Sequence, residues 1–303
     1  MTRLLFFMNT SSPFGGVETW LDRAHAHFQS HGFEPVVGLV QGLRYNDPDR
    51  YRRAHPDLNA VDVDGRGLDR EGRVRALVRC IGWVKPDVVV PMGIVDANEA
   101  VVRCKQKGQN LRLVAHAQGN LAPMLADLRL YRDAFDRVIC PGKLTRKVLV
   151  QWAGFPSDRV LHIPNGADPA FSPRQPRRSD GVIRLGFVGR LSQNDKRVLD
   201  LIPLCRALSE RGVPFELDVV GDGPARKELA DGLAAWTDRV RLRGALPPQA
   251  IYQDILPALD TLVLTSASEA FGIVLVEAMM HGVVPVSSRY HGFFSEALVQ
   301  EGR

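Results

Sequence analysis

The sequence predicts an α/β protein built as two Rossmann-like domains with a cleft between them. Continuous apolar, β-branched runs alternate with amphipathic helical patterns, the signature of a parallel sheet covered on both faces. A stretch without apolar period, DPAFSPRQPRRSDG at 168–181, interrupts that alternation with three prolines and three arginines. Beyond it the same alternation starts afresh.

In the first half the expected order is a strand at 4–9 (LLFFMN), a helix near 17–31, a strand at 35–40 (PVVGLV), a helix near 69–84 and a strand at 86–92 (PDVVVPM). There follow a strand at 111–117 (LRLVAHA), a helix near 124–134, a strand at 137–142 (RVICPG), a helix near 143–153 and a strand at 160–166 (VLHIPNG). The second half repeats the scheme. Strands are expected at 183–190, 215–223, 239–244, 260–266 and 284–288, with helices near 196–211, 224–236, 248–257 and 271–281. This gives an N-terminal domain over 1–168, a linker over 169–181 and a C-terminal domain over 182–303. In open α/β sheets ligands collect beyond the carboxyl ends of the strands, so a ligand is expected in the cleft.

The 303 residues carry a net charge of +5, with Arg far outnumbering Lys, so the basic groups are of the kind that forks onto phosphates and carboxylates. That balance suits an anionic ligand or an anionic membrane surface, and no nucleic-acid-binding pattern accompanies it. Cys80, Cys104, Cys140 and Cys205 are scattered without a C-x-x-C pair, which argues against a zinc site or a disulfide framework and for a reducing cytoplasm. The apolar run after Met1 is too short for the hydrophobic region of a signal peptide, and no stretch approaches the ~18 apolar residues of a membrane span. Any meeting with a membrane would therefore be peripheral, at the inner face of the cytoplasmic membrane.

Several short segments follow expected strands and carry chemistry. In SASEAFGIVLVEAM (266–279), Glu269 and Glu277 flank a stretch nearly devoid of other polar atoms, and carboxylates in such surroundings need partners. Ser266 and Glu269 also fit a helix capping box, in which the acid only satisfies backbone donors at a helix start. Gly15 and Gly16, after the first strand, allow backbone N–H groups to approach a phosphate at a helix N-terminus, and equally fit an ordinary turn. Arg190 and Lys196, six positions apart after GFVG, form a cationic turn suited to a diphosphate. Fixed cations there stabilise a leaving diphosphate more in the transition state than in the ground state. His116 ends the strand LRLVAHA, and no serine or cysteine nucleophile motif accompanies it.

Together these segments resemble the retaining glycosyltransferases of family 4, with the two-domain GT-B fold. Glu269-Ala270-Phe271-Gly272 through Glu277 resembles the family's E-x7-E signature, and GGVET (15–19) its N-terminal glycine loop. IPNGAD (163–168) resembles the strand end before the linker, FVGRLSQNDKR (187–197) the diphosphate segment with Gly189, and VVGDGP (219–224) the nucleotide-side turn with Gly221 and Asp222. The resemblance spans nearly the whole chain. It implies that Arg190 and Lys196 clamp the diphosphate, that Glu269 meets the donor sugar and Glu277 the ribose diol, and that Gly16 contacts the donor from the N-terminal, acceptor-side domain. The backbone amides of Ala270, Phe271 and Gly272 would face the sugar or diphosphate, and His116 a donor hydroxyl near the anomeric carbon. Implied too are a same-face mechanism in which the departing phosphate helps deprotonate the acceptor, no cofactor and no required metal. A nucleotide-sugar donor of UDP or GDP type and a polysaccharide or lipid-linked acceptor of the bacterial cell envelope, as in lipopolysaccharide synthesis, complete the expectation.

Two features compete with this reading. Asp62-x-Asp64 in VDVDG superficially matches a metal-binding D-x-D, yet it reads as a chance acidic turn without a matching ligand cluster. The helix at 69–84 sets Val74, Leu77, Val78 and Ile81 against Arg70, Arg73, Arg75 and Arg79, and fits either a solvated Rossmann helix or a contact with anionic lipid. The family usually continues past SRYHGFFSEALVQEGR, where Gly292 and Glu296 fall near the donor by resemblance, so the C-terminal domain is expected to be truncated. The alternatives from other classes are a non-catalytic glycosyltransferase-like binding or assembly subunit, and a phosphorylase or sucrose-synthase-like enzyme.

Overall fold

Strand β1 (Arg3–Asn9) shows why the apolar runs are unbroken: Leu5 and Phe7 enter one core while Leu4, Phe6 and Met8 enter another on the opposite face. With side chains alternating across the strand and both faces covered, every position must be apolar. The computed structural model describes residues 1–10, 13–42, 47–167, 179–296 and 298–299. The chain divides into two units, Met1–Pro164 and Asn165–Arg303. Asp168 and most of the interval read as a linker lie outside the described residues, which resume at Ser179.

In the first unit β1 is followed by α1 (Gly16–Ser30), β2 (Glu34–Gln41), α2 (Pro48–Ala54), β3 (Ala60–Asp64), α3 (Arg70–Val84) and β4 (Val88–Val90). Then come α4 (Val95–Gln106), β5 (Arg112–His116), α5 (Ala122–Leu130), β6 (Arg137–Cys140), α6 (Lys143–Gln151) and β7 (Val160–His162). Seven parallel strands lie in the order β3-β2-β1-β4-β5-β6-β7. Leu77 and Ile81 of α3, Val101 and Cys104 of α4 and Leu149 of α6 fill one face, and Leu21 of α1 with Tyr51 of α2 fills the other.

Three elements escape the sequence pattern. Helix α4 buries Ala97, Ala100, Val101 and Cys104, a face too small-sided to register as an apolar stripe. Helix α2 is short and starts at Pro48 under an Asp47 cap, whose side chain accepts from the Arg50 amide at 2.8 Å. The segment expected as an acidic turn is the edge strand β3. Its aspartates are spent on arginines: Asp62 pairs with Arg52 at 2.7 Å and Asp64 with Arg66 at 2.7 Å. On α3 the arginines are similarly engaged, Arg73 with Asp96 at 2.8 Å and Arg75 with Glu71 at 2.9 Å. Arg79 of the same helix is exposed, so the helix carries both paired and solvent-facing arginines.

The second unit contains β8 (Ile183–Val188), α7 (Leu201–Glu210), β9 (Phe215–Val220), α8 (Arg226–Gly232), β10 (Val240–Gly244) and the single turn α9 (Pro248–Ala250). A wide helical turn, Ile251–Ile255, continues α9. Strand β11 (Thr261–Leu264), α10 (Ile273–Met280), β12 (Val284–Ser287) and α11 (Phe293–Glu296) complete it. The five strands are parallel, in the order β10-β9-β8-β11-β12. Leu185 and Phe187 of β8 face one core with α7 and α8, whereas Leu262 and Leu264 of β11 face the other with Leu275 of α10. The cysteines Cys80, Cys104, Cys140 and Cys205 are buried and join in no disulfide among the described residues. Among the described residues no helix is long and apolar enough to cross a membrane.

The turns after β8 and β9 are in backbone contact. Gly189 N donates to Val220 O, Leu191 N to Asp222 O and Ala225 N to Leu191 O, at 3.0, 2.9 and 2.9 Å. A Cβ on Gly221, at φ 139°, would stand 1.8 Å from the Gly189 carbonyl oxygen. Packing thus accounts for glycine there. We expect Gly221→Ala to lower unfolding stability by about 2–4 kcal/mol, from overpacking plus backbone strain; an unchanged urea midpoint would contradict this contact.

Candidate functional site

In an open parallel sheet the crevice for a ligand lies where successive connections diverge, at the carboxyl ends of the strands. The strand orders put that point between β8 and β11 in the second unit and between β1 and β4 in the first. Of the residues singled out from the sequence, Gly189, Arg190 and Lys196 follow β8, Glu269 to Gly272 follow β11 and Gly15 and Gly16 follow β1, whereas Gly221 and Asp222 follow β9, His116 ends β5 and Glu277 is on α10.

Arg190 and Lys196 lie in the loop leaving β8, and Glu269 lies in the loop leaving β11. Two bonds to backbone carbonyls join the loops: Ala267 N donates to Asp195 O at 2.8 Å, and the Thr265 hydroxyl Oγ1 to Lys196 O at 2.7 Å. Across the join Lys196 Nζ donates to Glu269 Oε1 at 2.6 Å, and Ser266 Oγ donates to the same oxygen at 2.5 Å. Arg190, with 63% of its side chain exposed, reaches Asp195 at 3.3 Å, and Ser192 Oγ donates to the same carboxylate. Burial works to raise the Asp195 pKa, but the Ser192 hydroxyl and the Arg190 and Lys196 charges overcome it and hold the group below its ordinary value. The two cations therefore face two carboxylates, a balanced set that an incoming anion would have to rearrange.

The capping-box reading of Ser266 and Glu269 does not hold, since α10 starts at Ile273 behind Gly272, whose φ of 83° makes it the N-cap. Ala270 and Phe271 are buried in the approach to that N-cap. The first amides of a helix lack intrahelical acceptors, which makes this end of α10 favourable for negative charge. Glu277 stands further along α10, half-buried, and accepts from Tyr252 Oη at 2.6 Å. Both acids of the motif thus have protein hydrogen-bond partners. Asp222, exposed, accepts from the Gly223 amide at 2.8 Å and pairs with Arg226 at 3.5 Å. Asp195, Ser192 and Tyr252 were not read from the sequence. An acid lying between two cations in one loop is the signal that could have found Asp195; nothing local marks Tyr252.

In the first unit Gly15 and Gly16 are exposed at the start of α1, after β1. The Glu18 carboxylate lies over Gly15, where a Cβ would meet Oε2 at 2.5 Å. An anion bound at this helix end would displace that side chain. His116, at the end of β5, is 8% exposed, and its ring lies 3.9 Å from the ring of Trp20 on α1. The Trp20 contact brings His116 beside the helix that follows the glycine loop. Burial pulls the imidazole down to about 4, so the ring is neutral near pH 7. Gln118 Nε2 lies 2.8 Å from Nδ1; with the amide donating, Nδ1 accepts and the proton sits on Nε2. His116 is thereby equipped to donate a hydrogen bond, not to act as a charged group. Beside it a cavity of about 30 Å³ is lined by Met92, Asn98, Met124, Asp127 and Phe135 among others, and burial pushes the Asp127 carboxyl up.

Comparison with known proteins gives the family and the fold. Residues 14–171 match the family described as Glycosyltransferase Family 4, and residues 183–303 match Glycosyl transferases group 1. The chain belongs to glycosyltransferase family 4. It is similar to one of the subunits of the Arabidopsis thaliana phosphatidylinositol N-acetylglucosaminyltransferase, 29% identical over 163 residues, which cover 52% of this chain and 35% of that protein's length. The chain spans about a third of the length of the curated relatives it matches. Among solved structures it shares its fold with Anabaena HepE, crystallised with UDP and glucose, at a TM-score of 0.72 and 21% identity over 100% of this chain and 84% of that one. It likewise shares its fold with WaaG, a glycosyltransferase involved in lipopolysaccharide biosynthesis, at a TM-score of 0.70 and 17% identity over 97% and 83% of the two chains. The GT-B fold expected from the sequence is therefore found.

The His116 geometry carries a pH consequence. Its folded pKa lies below the unfolded ~6.5, so its contribution is intact above ~6.5 and is lost as pH falls toward 4, where only the unfolded chain takes up the proton. Unfolding free energy should fall by on the order of 3 kcal/mol more in the wild type than in His116→Asn over that window. Parallel stability curves for the two proteins would contradict it.

Proposed function

We propose that the protein is a retaining glycosyltransferase that moves a sugar from a nucleoside diphosphate sugar to an acceptor hydroxyl in the synthesis of a bacterial cell-envelope polysaccharide or glycolipid. The observation that carries this reading is the junction of the β8 and β11 loops, where Arg190, Lys196 and Glu269 meet at the point where strand order reverses. Family membership supports the reaction class. HepE's UDP and glucose support a UDP-type donor, and the WaaG and Arabidopsis names support an envelope or lipid-linked acceptor.

In this reading the donor diphosphate takes Arg190 and Lys196 from the carboxylates that hold them. Lys196 leaves Glu269, whose freed oxygen accepts from a hydroxyl of the donor sugar, while Ser266 continues to orient the carboxylate. As the glycosidic bond breaks, negative charge grows on the departing phosphate, and the two cations with the amides at Ala270, Phe271 and Gly272 stabilise that growth. Glu277, held by Tyr252, accepts from the ribose diol. Gly15 and Gly16 present backbone N–H groups to the donor, and His116 donates through Nε2–H to a sugar hydroxyl. The departing phosphate deprotonates the acceptor on the same face, so the anomeric configuration is kept.

Calorimetric titration with UDP and GDP, followed by an assay for slow sugar-nucleotide hydrolysis, tests the proposal. Glu277→Ala should weaken nucleotide binding roughly tenfold or more, the loss expected when a charge-assisted bond to a diol is removed. Lys196→Ala should lower kcat by about 10²–10³ with a smaller change in affinity. Negligible effects of both substitutions would remove the site from this junction, and nucleotide binding without sugar release under varied acceptors would favour a binding subunit.

A further inference from the structure

His55, just past α2, is 7% exposed and contacts the segment that enters α1 at Pro13. Its Nδ1 lies 2.8 Å from both carboxylate oxygens of Asp22 on α1, and its Nε2 lies 2.6 Å from the carbonyl oxygen of Pro13. A carbonyl oxygen and an ionised carboxylate only accept, so both bonds are made at once only when both ring nitrogens carry hydrogen. Resting on the glycosyltransferase reading above, we propose that His55 is a positioning residue: as an imidazolium it pins the Pro13–Gly16 backbone in the conformation that receives the donor, and on losing its proton it releases that loop.

The surroundings fit a built device. Asp22 and Glu18, both on α1, are the acids that act on the ring, and Tyr51 of α2 stacks near it with ring centroids 4.4 Å apart. Phe14, inside the loop, has its ring 6.3 Å from that of His55. Burial works against the charged ring, but the Asp22 hydrogen bond and charge, the Pro13 carbonyl and the Glu18 charge outweigh it and leave the pKa above the ordinary value. Since the folded pKa is raised, the latch is fully made below the unfolded ~6.5 and is lost as pH rises through the folded value. Loss of the proton has a second effect. It removes one positive charge from beside the loop that meets the donor's anionic end, which weakens binding further.

The test combines ring titration with nucleotide affinity. ¹⁵N NMR of the histidine rings in the ligand-free protein should find His55 doubly protonated at pH 6.5, titrating above that value; a ring that titrates at or below 6.5 overturns the proposal whether or not any nucleotide binds. UDP and GDP affinities measured by calorimetry from pH 6 to pH 9 should weaken about tenfold as the ring titrates, equivalent to one hydrogen bond to a charged group. In Asp22→Asn the same transition should move to lower pH. His55→Gln puts an amide nitrogen where Nε2 stands and keeps the Pro13 bond without the ring charge, so it should give a flat profile between the acid and alkaline limits of the wild type. His55→Asn keeps only the Asp22 bond and should be about tenfold weaker throughout, with donor KM raised and kcat little changed. Equal affinities for the two variants, or a wild-type pH profile in His55→Gln, would overturn the latch. Failure of the wild type to bind UDP or GDP at any pH would instead count against the glycosyltransferase reading, leaving the ring titration to judge the latch.

Discussion

The candidate site of the second unit depends on one tie, the fastening of the loop after β8 to the loop after β11. Two backbone carbonyls, those of Asp195 and Lys196, are bonded from Ala267 and Thr265, and the Lys196 ammonium closes the join on Glu269. Parallel strands bring these loops side by side, and the hydrogen bonds fix their relative height. A salt bridge of this kind, with Glu269 11% and Lys196 21% exposed, is stronger than an exposed surface pair and weaker evidence for stability than for arrangement. The Ala267 amide and the Thr265 hydroxyl hold the loop carbonyls independently of the charged side chains, which can change partners without the join coming apart.

The same division of labour recurs around Gly221. The turn after β9 lies against the Gly189–Leu191 backbone, and that contact sets where Arg190 leaves the sheet. The guanidinium, 63% exposed, is thus positioned at its root by the backbone and held at its tip, among the described residues, only by Asp195 at 3.3 Å. In the first unit the corresponding features are the Trp20 contact with His116 and the glycine pair at the start of α1. There burial keeps the histidine neutral near pH 7 and leaves it a hydrogen-bond donor without charge.

Much of the fold is legible in the sequence because strands buried on both faces need continuous apolar runs in their interiors, as in Leu4–Met8 of β1 and Leu262–Leu264 of β11. The misses have physical causes. Helix α4 presents alanine and cysteine to the core, so its burial leaves little hydrophobic signal. Strand β3 lies at an edge and alternates Val61 and Val63 with Asp62 and Asp64, a pattern that resembles an acidic turn until its arginine partners are known. Site residues show the same split. Arg190 and Lys196 are readable from one resembling segment, 187–197, and Glu269 from another, 269–277, and the structure brings Lys196 and Glu269 together across β8 and β11. Asp195 was hidden by lying inside the first segment. Tyr252 and His55 gain their roles only from contacts distant in sequence, 25 residues to Glu277 and 42 to Pro13.

Tyr252 reaches Glu277 from the wide helical turn Ile251–Ile255, which carries one more residue per turn than an α-helix would. Each residue advances a regular helix by about 100°. Were that surplus position deleted, the phenol would swing by roughly that angle and its hydroxyl would leave the acid it now steadies. The irregularity is therefore a setting of azimuth: an insertion that aims one side chain while the neighbouring Ile255 and Leu256 stay seated in the core.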